Sequence, residues 1–171
     1  MIITSRRHEL SAVLAILWVS IAWVVPAAAG EPGIVRRPSP GFPIASSVQV
    51  PAGKTLYFLS GTIADPADPL APASSPLRMG DTAAQAKNVF GKITKELEAV
   101  GLGMADVVKM NVFLVGDPGK DGRMDFEGLM QAYSQYFGTA TQPNLPARTT
   151  VQVSGLPLPG ALIEVEVIAA R

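Results

Sequence analysis

The chain has 171 residues, no cysteine, one histidine and 14 basic against 14 acidic residues. The missing cysteine excludes disulfides, thiol nucleophiles and thiolate metal sites. A net charge of zero leaves no sequence-wide footprint for nucleic acid or for an anionic membrane surface.

The first residues read as a targeting segment. Arg6 and Arg7 open it, an uncharged, largely apolar run follows from Ser11 to Val25, and Pro26 precedes Ala27, Ala28 and Ala29. That order predicts a signal peptide over 1–29, cleaved after Ala29, because the run is short of the roughly 20 residues a spanning helix needs. A retained anchor is the competing reading. Cleavage leaves 142 of the 171 residues, with 12 basic against 13 acidic ones, the size of one domain. The expected location is therefore exported, periplasmic or secreted, with no membrane attachment after cleavage. His8 departs with the segment, so the mature chain has no imidazole. Triads built on His, HExxH zinc sites and His-dependent ribonuclease chemistry are excluded.

Residues 30–44 (GEPGIVRRPSPGFPI) are rich in Pro and Gly and read as an extended arm, with the domain proper over 45–171. ASSVQV (45–50) and TLYFLSG (55–61) flank the turn signal PAGK and are expected to form a hairpin. Four prolines make 62–80 a long loop. Asp81 is a good N-cap for a helix carrying Ala86, Val89, Phe90, Ile93, Leu97 and Val100 at helical spacing, closed by Gly101. Lys92 and Glu96 are placed for an i, i+4 pair on its exposed side. DVVKMNVFLV (106–115) alternates as a strand, with Val108, Met110, Val112 and Leu114 on one face. GDPGKDGR is a turn-rich loop, and a second helix begins near Asp125 with Phe126, Leu129, Met130, Tyr133, Tyr136 and Phe137 as its apolar stripe.

Two strands close the chain, joined by SGLPLPG, which reads as a hairpin connection. Val151 and Val153 share one face of the first, with Arg148, Thr150 and Gln152 on the other. In the second, Ile163, Val165 and Val167 are apolar and Glu164 and Glu166 point the opposite way. Burying both valine rows together brings Arg148, Thr150, Glu164 and Glu166 onto one polar face, since directly opposed residues share a face. The order β-β-α-β-α-β-β predicts an α+β domain, two helices covering one face of a mostly antiparallel sheet. The other face, carrying those residues with Gln152 and Phe113, is either wet or covered by another subunit.

The sequence resembles the YjgF/Rid (reactive intermediate deaminase) family. The resemblance spans roughly residues 41–171. It rests on PART (146–149) followed by GLPLPG and IEVEVIA, on Ser60–Gly61, on the AQA…GLG…DVVK passage (84–109), and on Phe126…Tyr133…Tyr136–Phe137. It implies a chorismate-mutase-like fold assembled as a homotrimer, with sites in clefts between subunits. The implied activity is cofactor-independent hydrolysis of enamines and imines to 2-keto acids and ammonia. By the same resemblance Arg148 binds the substrate carboxylate, Glu164 positions and deprotonates water, Thr150 contacts the ligand through its backbone, and Ser60 lines the pocket. No metal or cofactor is implied; the expected partners are a small imine or carboxylate and further copies of the chain. Two positions depart from the family pattern: Ile44, where many deaminating members carry tyrosine, and Met130, where asparagine is frequent. A non-catalytic binder of small carboxylates, using the same arginine, is the alternative.

Overall fold

The computed structural model describes residues 33–72, 75 and 78–171. The predicted signal peptide lies outside the described residues. The two helices form where the apolar spacing places them, except that the second ends at Tyr133, before Tyr136 and Phe137 of its expected stripe. Helix α1 (Thr82–Ala99) is capped by Asp81, whose carboxylate accepts from the Ala84 N–H, and ends as Gly101 turns left-handed at φ +74°. Helix α2 (Phe126–Tyr133) is capped in the same way by Asp125 onto the Gly128 N–H. The strands are β1 (Val35–Ser39), β2 (Phe42–Gln49), β3 (Leu56–Ile63), β4 (Val107–Asp117), β5 (Arg123–Met124), β6 (Ala147–Val153) and β7 (Ile163–Ala170).

Six strands lie in the order β1-β2-β6-β4-β7-β3, and β5 pairs the far end of β4. Pairing is parallel at β2/β6 and β6/β4 and antiparallel at β1/β2, β4/β7 and β7/β3. The helices cover one face, where Val89, Phe90, Ile93, Leu97, Leu129, Tyr133 and Phe137 bury Met110, Val112, Leu114, Ile163, Val165 and Val167. The fold class is that expected from sequence: two helices on a mixed, mostly antiparallel sheet.

Four local expectations are corrected. The arm 30–44 is not merely extended, because Val35–Ser39 forms β1 and β2 already starts at Phe42. Arg36 holds β1 in place, donating to the carbonyls of Val107 (2.7 Å), Leu145 (2.9 Å) and Ala105 (3.0 Å). β2 and β3 are not a hairpin; β2 pairs with β1 and β6, while β3 lies at the opposite edge against β7. Lys92 turns from Glu96 to Asp65 (2.8 Å) and the Ile63 carbonyl (3.1 Å), tying the Pro-rich loop to α1. Finally, β6 and β7 are not paired, because β4 lies between them.

That last correction changes which residues share a face. Register places Arg148 beside Met110 and Met110 beside Val167, so Arg148 is on the helix-covered side. The next row, Thr149–Asn111–Glu166, faces the other way, and so does Val151–Phe113–Glu164. Val151 is accordingly 41% exposed rather than in the core.

Candidate active site

Arg148 emerges from β6 beneath α2 and is surrounded by carbon, π-electrons and sulfur. Its Cζ lies 4.3 Å from the ring centroid of Tyr133, 5.5 Å from that of Phe42 and 5.7 Å from that of Phe126. Its terminal nitrogens reach Met130 Sδ at 3.4 and 3.3 Å. Among the described residues no carboxylate pairs with it. Burial lowers its pKa and the neighbouring Tyr133 works the other way, but a guanidinium stays protonated at ordinary pH. The rings compensate part of the desolvation through cation–π attraction. What they leave unmet is the set of in-plane N–H donors, for which a thioether is a weak acceptor.

Tyr133 is locked in this arrangement. Its hydroxyl donates to the Pro43 carbonyl (2.9 Å), its ring stacks on Phe137, and burial raises its pKa to about 12. Two residues beyond Arg148 on the same face, Thr150 buries its Oγ1 without a hydrogen-bond partner. An unpaired cation and an unpartnered hydroxyl side by side fit a small anionic ligand better than they fit a finished core.

Glu164 and Ser60 stand elsewhere. Glu164 is on the open face and passes over Gly61, where an ideal Cβ would stand 2.8 Å from its carboxyl carbon. Ser60 sits at the irregularity in β3 between Leu59 and Thr62, and its carbonyl accepts from Thr62 Oγ1 at 3.4 Å. It lines a hollow of about 190 Å³ with Phe58, Lys109, Asn111 and Glu166. Here Asn111 donates to Glu166 Oε1 (2.6 Å) and Lys109 to Thr149 Oγ1 (2.9 Å). Within one chain, then, Arg148 with Thr150 and Glu164 with Ser60 occupy opposite faces of the sheet. The shared polar face expected from a terminal hairpin does not exist. The sequence reading also missed Phe42, assigned to the arm, and the part played by Phe126, Met130 and Tyr133, assigned to the core. Their 126/130/133 spacing, one face of a helix, was the available signal.

The sequence profile described as Endoribonuclease L-PSP matches residues 39–171. The chain belongs to this family, the YjgF/Rid group. The YjgF/Rid chain is 41% identical to protein DfrA of Myxococcus xanthus over 127 residues, 74% of this chain and 84% of that one. It is 35% identical over 127 residues to the 2-iminobutanoate/2-iminopropanoate deaminase of Rattus norvegicus, covering 74% and 80% of the two chains. Its fold matches that of RidA from the Antarctic bacterium Psychrobacter with TM-score 0.50 and 30% identity over 80% of this chain and 94% of that one. The family thus includes imine deaminases.

Proposed function

We propose that this YjgF/Rid protein hydrolyses small imines and enamines that bear a carboxylate, giving 2-keto acids and ammonia, and that it does so as an exported homotrimer. The observation that carries the reading is Arg148: a half-buried guanidinium whose fork of donors meets, among the described residues, only a thioether. A carboxylate satisfies that fork bidentately. Deaminases among the relatives, such as the rat protein, support the reaction class.

The opposed faces support a site shared between copies. Arg148 and Thr150 of one copy bind the carboxylate, and Glu164 of a neighbour faces the reacting carbon. Phe58 (73% exposed) and Val151 lie beside the Asn111–Glu166 row, so a second copy covering this face would bury apolar surface and enclose the carboxylates. The chemistry asks little of the protein. The protonated imine carbon is already electrophilic; water adds to it while Glu164 takes a proton from the water. Proton transfer to nitrogen then lets the C–N bond break, ammonia leaves, and no electron changes hands overall.

The test is an imine-decay assay on purified mature protein. An amino-acid oxidase supplies imines and semicarbazide traps what remains. Acceleration that vanishes in Arg148→Ala, and in Glu164→Gln with carboxylate binding kept, is the expected result. A folded protein that accelerates nothing but still binds carboxylates through Arg148 is the non-catalytic binder instead. N-terminal sequencing of the exported protein, expected to begin at Gly30, tests the targeting segment.

A further inference from the structure

The groups beside Arg148 also specify what the rest of the ligand resembles. Phe42 and Phe126 stack with centroids 6.0 Å apart and planes at 19°, next to the guanidinium. Phe42 is 39% exposed, so this pair lies where Arg148 meets solvent. Met130 closes the ring of contacts with its sulfur against both terminal nitrogens. The hydroxyl of Tyr133 is committed to the Pro43 carbonyl. Thr150 Oγ1, on the same strand as the carboxylate anchor, is buried with no hydrogen-bond partner among the described residues.

We infer that Met130, Phe42 and Phe126 determine specificity, and that the carboxylate taken at Arg148 carries an apolar side chain of about four carbons or more, or an aryl group. This rests on reading Arg148 as the carboxylate anchor. A thioether is a poor acceptor and a carboxylate a strong, two-toothed one, so an incoming carboxylate displaces Sδ from the guanidinium. Methionine is unbranched and has three rotatable bonds, so its sulfur moves aside at little cost and repacks on the ligand. The ligand's side chain is then bordered by the thioether and two phenyl rings. A charged side chain would lose water against the thioether and the rings, which offer it no hydrogen bond, and that is unfavourable. An apolar one gains contact with every added methylene.

Binding of stable 2-oxo acids to the mature protein, measured by calorimetry, tests this apart from turnover. The probes are pyruvate, 2-oxoglutarate, 4-methyl-2-oxopentanoate and phenylpyruvate. The last two are expected to bind at least about tenfold more tightly than pyruvate, with 2-oxoglutarate weakest. Met130→Leu, which keeps an apolar wall, is expected to preserve the order. Met130→Gln, whose amide oxygen competes for Arg148, is expected to weaken the apolar pair by about tenfold and flatten the order. Binding that requires Arg148 but is equal for all four probes, or an order that Met130→Gln leaves intact, overturns the inference while the anchor stands. No binding, or binding that survives Arg148→Ala, removes the anchor and this inference with it. Loss of imine turnover with the order of binding intact counts only against hydrolysis.

Discussion

Gly61 and Glu164 share one space: a Cβ on Gly61 would stand 2.8 Å from Glu164 Cδ and 3.1 Å from its Cγ. The glycine of the Ser60–Gly61 pair is thus explained by the carboxylate that crosses it, not by a turn.

Gly61→Ala is therefore expected to push Glu164 out of line while leaving the fold intact, because residue 61 is exposed. Imine turnover should fall by about 100-fold, the order of loss for a misplaced reacting group. Carboxylate affinity at Arg148 should stay unchanged. Steady-state rates beside calorimetry decide it, and an unaltered rate would remove Glu164 from the reaction.

Gln85 is almost fully buried on α1 and joins two loops. Its Nε2 donates to the carbonyls of Gly80 and Gly160, both at 3.0 Å, and its Oε1 accepts from the Leu162 N–H at 2.8 Å. Gln85→Leu removes the hydrogen-bond partner of three part-buried backbone groups and is expected to cost roughly 3 kcal/mol. Urea unfolding of variant and parent gives the value; a loss below about 1 kcal/mol would mean water replaces the amide.

Tyr133 sets an alkaline limit. Its folded-state pKa, raised to about 12 by burial, lies above the ordinary value of 10. A raised folded value means the native state holds its proton more tightly, so this stabilisation is complete below pH about 10 and is lost as pH rises toward 12. Tyr133→Phe should cost about 1 kcal/mol at neutral pH through the lost bond to Pro43. It should also reduce the fall in Tm between those pH values, and an equal alkaline fall in both proteins would assign it to other groups.

Arg36 fastens β1 through three carbonyls and has a lowered pKa from burial, which Asp106 partly opposes. Arg36→Met is expected to loosen β1 locally. Amide exchange at residues 35–37 and at Ser39 (Pro38 has no N–H) should speed up about 100-fold, with α1 protection unchanged. Uniform loss of protection across the chain would show instead that β1 belongs to the global folding unit.

The alternation and helical spacing of the sequence were enough for β4, β7, α1 and α2, since each is decided by which of its own residues are apolar. Asp81 and Asp125 announced the helix starts because capping is a local bond. β1 was hidden by Pro38 and by neighbouring prolines and glycines, and it exists because Arg36 finds carbonyls 69 to 109 residues away. No local pattern carries that information.

The site divides along the same line. Sequence by itself determined the chemistry present: an arginine behind proline, two glutamates on alternate positions of the last strand, no cysteine, and no histidine after His8. Only the tertiary structure decided which of these meet. A short connection between β6 and β7 looked like a hairpin, but β4 enters between them and pairs with β6 in parallel. The polar pattern of each strand stayed as read, while the face each presented to the helices was fixed by long-range pairing. Arg148 consequently lies among the rings of Phe42, Phe126 and Tyr133, and Glu164 lies across the sheet from it. Period-two alternation determines which residues share a face, but strand order determines which face is covered, and strand order is set by the whole core at once.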